Sequence, residues 1–317
     1  MSLSVFFVLT PNVLLLDYAG PAEALRMAAE MGGDLGLVNC APVSPLPTSM
    51  GLSLDGLAPL PEALPPDSLV IVAGNARESE DYARPEAQAV IDWLRRTARP
   101  DTRFASVCSA ALLLARAGLL SGRQCTTHHN LIDDLRRLAP EARVLEDRIF
   151  VEDGPVLTSA GITTGIDLAL YLIERHCGPE LAAAVARRQV VFMRRSGHDP
   201  QLSPWLAWRN HLHPAVHRAQ DAIAREPNRR WSLEALADVA HVSARHLARL
   251  FASHAGIGVV EYQQRLRLSQ ARRLLLDTGM AVERVAELCG FGSARDLRRV
   301  WSRLEGGAPS DLRQQRS

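Results

Sequence analysis

The sequence predicts two folds in one chain: an α/β domain with a parallel sheet covered by helices on both faces, followed by an all-α domain carrying two helix-turn-helix units. Three observations predict this. Up to about residue 190, short and nearly continuous apolar runs alternate with amphipathic stretches, the pattern of strands buried on both faces. Beyond that point strand-like runs stop and helical periodicity continues. Within the last hundred residues, "SARHLARLF" from Ser243 is echoed by "SARDLRRVW" from Ser293, at an offset of 50.

In chain order, strands are expected at residues 5–9, 35–40, 69–73, 103–107 and 155–158, where β-branched and large apolar residues cluster. Helices are expected between them, at 21–31, 85–98 and 164–176, the first two opening on a proline that suits a first helical turn. "RRSGHDPQLSPW", from Arg194, is rich in Gly, Pro, Ser and charge and reads as a linker. The organisation is therefore domain 1–190, linker 191–213 and domain 214–317. In a parallel sheet of this kind the functional site lies at the carboxyl ends of the strands.

The net charge of +1 conceals an asymmetry. Residues 1–190 carry 16 Arg against 23 acidic residues, whereas residues 191–317 carry 20 Arg against 12. A basic second domain on an acidic first one suits contact between the second and a polyanion. Five cysteines form no CxxC pair, which speaks against a disulfide framework or a zinc cluster. The longest apolar runs are strand-sized and the N-terminus lacks signal-peptide features, so the expectation is a cytoplasmic protein without membrane contact. No cofactor is implied.

Each copy of the repeat follows a short helical stretch and a tight turn, "LEALADVAHV" in one case and "VERVAELCGFG" in the other. Ser243 and Ser293 stand where an N-cap belongs, and Ser293 with Asp296 has capping-box spacing. Leu247, Leu250 and Phe251, and their counterparts Leu297, Val300 and Trp301, form the apolar stripe. Arg245 and Arg249, like Arg295 and Arg299, then fall on the outward face. Arginine there can pair with phosphate or read guanine bidentately. The stretch Val259–Asp277 reads as a rigid spacer that would set the two units one helical turn of DNA apart.

From about Arg218 to Arg313 these motifs, with "YQQRLRLSQARRLLL" and "GGAPSDLR", resemble the AraC/XylS-type DNA-binding domain. The resemblance implies a transcription regulator that binds promoter or operator DNA and works with RNA polymerase. Carried over by position, the base-facing residues are Arg245, Ala248 and Arg249, then Ala294, Arg295 and Arg299, with Ser243, Ser293 and Arg298 in the same DNA-facing set. Leu312 departs from the pattern, which has an aromatic there.

"FASVCSAALLLARAG", from Phe104, places Cys108 where a strand breaks directly into a helix. Such an elbow exposes a side chain, and the helix N-terminus favours a thiolate. "CTTHHN" offers His128 and His129 as partners, and "LDYAGPAEAL" puts Glu23 in the first turn of the helix expected from Pro21. The residues leave three roles open for Cys108: a packing thiol, a ligand or redox sensor, and a nucleophile.

Residues 1 to about 190 resemble the PfpI-like branch of the class I glutamine-amidotransferase fold. The resemblance rests on "LDYAGPAEAL", "SVCSAALLLARAGLLSGRQCTTHH" and "VLTSAGITTGIDLALYLIE". It implies a site of Cys108, His128 and Glu23, with Gly74, Asn75 and Ser109 completing a ligand pocket. In enzymes of this fold a Gly-Gly turn commonly supplies oxyanion donors. Here "VAGN" puts Asn75 at the second glycine, which disfavours acyl transfer. The domain order is that of GlxA-type regulators, which implies a homodimer controlled by a small effector, a nitrogenous metabolite by resemblance. The alternatives are a cysteine enzyme (hydratase, amidase or adduct hydrolase) fused to a DNA-binding module, and a redox switch at Cys108.

Overall fold

The computed structural model describes residues 2–191, 194–197, 199–202, 207–209 and 211–311. The chain divides into two compact units, Met1–Gln201 and Leu202–Ser317. The segment expected as a linker is, up to Gln201, tied to the first unit. Arg195 forms an ion pair with the buried Asp167 at 2.6 Å, and Gln201 donates through Nε2 to the Thr127 carbonyl. The compact boundary therefore falls within 191–213 rather than at its start, because a buried carboxylate needs the cation that this segment supplies.

The first unit is built on six strands: β1 (Leu3–Val8), β2 (Leu35–Cys40), β3 (Leu69–Val72), β4 (Arg103–Val107), β5 (Phe150–Asp153) and β6 (Val156–Ser159). Their spatial order is β2-β1-β3-β4-β6-β5. The neighbouring pairs from β2 to β6 are parallel, and only β5 runs antiparallel, as the hairpin partner of β6. The sheet is thus mostly parallel, with an edge hairpin that periodicity did not reveal. Four polar-rich residues, "FVED", give too little alternation to be distinguished from a loop.

Side-chain alternation divides the strand residues between two cores. Phe6, Val8, Val70, Val72 and Phe104 meet helix α2 (Pro85–Thr97) and helix α3 (Ala111–Arg116) through Val90, Trp93, Leu94 and Leu112 to Leu114. Val5, Phe7, Leu69, Ile71 and Val107 meet α1 (Leu15–Glu30), α4 (Thr164–Cys177) and α5 (Pro179–Arg188). Each fully buried Leu, Val or Phe contributes about 1.5–3 kcal/mol of transfer free energy, so both faces of the sheet need their helices.

Helix α1 starts six residues before the expected 21–31, and Pro21 lies inside it. A proline there removes one helical hydrogen bond and is normally read as a start. Tertiary packing overrides that preference: the Pro21 ring fits against Gly165 of α4, where an added Cβ would come within 3.2 Å of it. The earlier start brings Asp17 into the first turn.

The second unit is helical: α6 (Pro214–Arg225), α7 (Leu233–Ala240), α8 (Ala244–Ala255), α9 (Val259–Asp277), α10 (Val282–Leu288) and α11 (Ala294–Leu304). It contains two separate cores. Val259, Tyr262 and Leu266 of α9 belong to the first, with α6, α7 and α8, while Leu268, Ala271 and Leu275 belong to the second, with α10 and α11.

Candidate regulatory site and DNA interface

The carboxyl ends of β1, β3, β4 and β6 converge on Cys108. The elbow expected from sequence is present: β4 ends at Val107, Cys108 takes φ +60°, and a single 3-10 turn leads into α3. A non-glycine residue in that left-handed region is uncommon and marks a position fixed by its surroundings. The surroundings are glycines. At Gly161, with φ +88°, an added Cβ would lie 2.1 Å from the Cys108 Cβ, and at Gly74 it would lie 2.9 Å from that same atom and 2.7 Å from Asp17 Oδ2. Only hydrogen fits at either position.

The carboxylate at Cys108 is Asp17, fully buried, and not Glu23. Its Oδ1 accepts the Ile162 N–H at 2.6 Å, and its Oδ2 has no hydrogen bond of ordinary geometry. Burial raises its pKa from 3.8 to about 6, against the lowering effect of the Ile162 amide and the neighbouring Cys108 thiol. Glu23 instead lies half exposed on α1 and pairs with Arg26 at 2.8 Å. Starting the helix at Pro21 selected the wrong first-turn acid. Asp17 is in the same quoted motif, but only the true start of α1 distinguishes it.

Burial also pushes the Cys108 thiol well above its ordinary range, and the Asp17 charge adds to the shift, outweighing the Ser109 N–H that favours the thiolate. The thiolate expected from the helix N-terminus is therefore not the favoured form. A short helix end cannot offset desolvation plus a neighbouring carboxylate.

Ser109 and Asn75 lock the floor of the site. Ser109 Oγ accepts the Asn75 N–H at 2.8 Å, donates to the Asn75 carbonyl at 3.2 Å, and meets the Tyr82 hydroxyl at 2.9 Å. The Asn75 amide turns away to Thr10 and Pro11. Gly74 and Asn75 keep ordinary negative φ, so the asparagine strains nothing. What removes Asn75 as an oxyanion donor is its N–H, already taken by Ser109.

His128 makes no hydrogen bond to the Cys108 thiol. It caps the next turn, its Nδ1 accepting the Asn130 N–H at 3.4 Å, and stacks on His129 at 4.3 Å. Burial, with His129 beside it, lowers its pKa. Thr127 makes the contact from this segment, donating to the Cys108 carbonyl at 2.9 Å. Among the described residues no three His, Cys, Asp or Glu side chains are placed to hold a metal ion.

In the second unit, α7 and α8 form one helix-turn-helix and α10 and α11 the other. His241 in the left-handed conformation and Gly290 at φ +75° end the leading helices. Ser243 Oγ accepts the His246 N–H at 3.3 Å and Ser293 Oγ the Asp296 N–H at 3.2 Å, so both serines cap their helices. Asp296 reaches back to the Gly292 N–H instead of closing the reciprocal bond to Ser293. Leu247, Leu250, Phe251, Leu297, Val300 and Trp301 are buried as a stripe on each second helix. Arg245, Ala248, Arg249, Arg295, Arg298 and Arg299 are exposed, and Ala294 is half-buried. Leu312 lies outside the described residues.

Residues 3–175 match the DJ-1/PfpI family, and residues 236–315 match a helix-turn-helix domain. The transcriptional regulator GbdR of Pseudomonas aeruginosa is 30% identical over 98% of this chain and 84% of its own length. GlxA of Rhizobium meliloti is 30% identical over 97% and 94%. This chain belongs to the helix-turn-helix transcriptional regulators that carry a DJ-1/PfpI domain. The crystal structure of a THiJ/PfpI family protein from Pseudomonas syringae shares the fold, with a TM-score of 0.53 at 19% identity, over 71% of this chain and 87% of that one. As a regulator of this type it is a DNA-binding protein, and among its described residues no helix is long and apolar enough to cross a membrane.

Proposed function

We propose that this regulator reads operator DNA with α8 and α11 and that a small metabolite bound near Asp17 and Cys108 controls it. One observation carries the DNA half. Arg245, Arg249 and Arg295 stand on the exposed faces of the capped helices with no carboxylate partner among the described residues. Exposed arginines without a protein partner are available to bases and phosphates. Ala248 and Ala294 permit close approach, and Ser243 and Ser293 begin the two helices. Arg298 and Arg299 pair with Glu283 and Asp296 at 3.0 and 2.6 Å. Exposed pairs of this kind are worth about 0–1 kcal/mol, so both can exchange a carboxylate for phosphate.

The effector half rests on Asp17 Oδ2, a buried oxygen with no N–H or O–H donor among the described residues and the neutral Cys108 thiol beside it. Such an oxygen suits a nitrogenous ligand that brings an N–H. Binding must favour one arrangement of the regulator over another, since equal affinity for both would shift nothing. A homodimer at two operator sites, acting with RNA polymerase in the cytoplasm, is the assembly this reading expects.

The protonated thiol and the engaged Asn75 N–H both weigh against acyl-transfer chemistry. Fluorescence anisotropy on DNA upstream of the regulator's own gene, against scrambled DNA, tests the proposal with wild type and Cys108→Ser. Preference for one native fragment by both proteins supports it. Substrate turnover that Cys108→Ala abolishes while DNA binding survives would favour the enzyme reading.

A further inference from the structure

The two helix-turn-helix units have separate cores, and α9 is the element common to both. A single helix fixes their distance but resists bending and twisting poorly. A second connection runs beside it. The loop 226–231, between α6 and α7 in the first of these two cores, is gripped from α9 at two levels. Arg267 donates through Nε to the Pro227 carbonyl and through Nη2 to the Arg229 carbonyl, both at 2.8 Å. One turn earlier, Gln263 Nε2 donates to the Trp231 carbonyl at 3.2 Å.

The loop is stiffened from within: Trp231 Nε1 donates to the Glu226 carbonyl, and the Arg229 guanidinium lies 3.9 Å from the Trp231 ring centroid. Its far side meets the second helix-turn-helix. At Gly290, in the turn between α10 and α11, an added Cβ would lie 2.2 Å from the Asn228 carbonyl oxygen and 2.8 Å from its carbonyl carbon. At Gly292 it would lie 2.8 Å from Arg230. Gly290 thus has two reasons to be glycine: its φ of +75° and a backbone pressed against it from the loop 226–231.

We infer that the loop 226–231, clipped by Arg267 and seated against Gly290, is a strut that holds the two DNA-reading helices in fixed register before DNA is met. Arg267 and Gly290 are positioning residues: neither lies in the DNA-facing set, and both act on the angle between α8 and α11. A preset angle saves the ordering that two loosely joined readers would undergo on binding. This inference rests on the proposal that both helices read DNA, but the angle can be measured without DNA.

Nitroxide labels at the exposed Ala252 and Ser302, introduced by non-cysteine chemistry in the full-length protein, report the separation of α8 and α11 by pulsed electron resonance. Wild type should give one narrow distance. Arg267→Met, which keeps an unbranched stem but loses both bonds, and Gly290→Ala should broaden it, and Arg267→Lys should recover part of the loss. An unchanged narrow distance in both Arg267→Met and Gly290→Ala, with folding confirmed by circular dichroism, overturns the strut.

The DNA readout uses fragments enriched from a random pool by wild type, compared with the same fragments carrying two extra base pairs between half-sites. Wild type should prefer the selected spacing by about tenfold or more, and the variants should lose that preference while keeping half-site affinity. Equal spacing preference in variants and wild type also overturns the strut's role. Failure of wild type to enrich any sequence would defeat the DNA-reading proposal and leave the distance measurement to judge the strut alone.

Discussion

Replacing Asp17 by Asn removes a charge that is buried with no cationic partner among the described residues, and the structure sets both the size and the pH window of the effect. Asn keeps the shape and can still accept the Ile162 N–H through Oδ1. The Asp17 pKa is 3.8 when solvated and about 6 in the fold. A folded value above the unfolded one means that the acid's contribution is fully present below pH 3.8 and is lost as pH rises through about 6. A shift of a little over two units corresponds to ~3 kcal/mol at most. Asp17→Asn should therefore match wild type near pH 4 and exceed it by up to ~3 kcal/mol above pH 7. Urea titrations at both pH values, read by hydrogen exchange in the β4 segment Arg103–Val107, isolate the first unit from the second. A stability difference that is the same at both pH values would refute the argument, because only the ionised form is penalised. The same variant should make Cys108 more reactive toward iodoacetamide, with burial still limiting the gain.

Arg245→Ala and Arg249→Ala should each weaken binding by about 1–3 kcal/mol at particular base pairs, measured as anisotropy on single-substitution operator variants; a uniform loss on all sequences would assign them to phosphate. Gly161→Ala forces a Cβ to within 2.1 Å of the Cys108 Cβ at a φ of +88°, so the first unit should lose about 3 kcal/mol or more, and a melting temperature within a degree of wild type would contradict that packing. Peroxide should alter DNA binding no more in wild type than in Cys108→Ser, since the favoured form is a buried neutral thiol; a response confined to wild type would restore the redox switch. In the second unit His211 rings with His217 at 4.5 Å and His254 at 6.0 Å, and His213 lies 4.7 Å from His254, with Arg209 paired to Asp221 alongside and Gln220 packed on His211. Burial and the neighbouring His217, His254 and His213 lower the His211 pKa, against the raising effect of Gln220, so stability is intact above about pH 6.5 and falls as acid charges the ring. Hydrogen exchange in α6 between pH 7 and 5 should show that loss, reduced in His211→Asn.

Features set by local order were legible in the residues. The strands at 35–40 and 103–107 coincide with β2 and β4, the helix expected from Thr164 starts there, and both recognition-type helices begin at their serines. Continuous apolar runs, N-caps and a repeated stripe act over a few residues, so the chain displays them directly. The elbow at Cys108 was visible for that reason as well. Asp17 was not, because Pro21 is a local start signal and only its packing on Gly165 carries α1 past it. The antiparallel β5 was missed because its strand character comes from pairing with β6, not from its own composition.

Periodicity, capping and charge are written residue by residue, so the residues alone carried the two fold classes, their order, the outward arginines of α8 and α11 and the cysteine elbow. Tertiary structure alone decided what that cysteine is. Residues 91 and 53 positions away from it, Asp17 and Gly161, arrive through the closure of one mostly parallel sheet, and together they desolvate the thiol, oppose its ionisation and leave a carboxylate oxygen with no N–H or O–H donor among the described residues. Desolvation and through-space charge depend on where chain segments meet, and no local pattern records that.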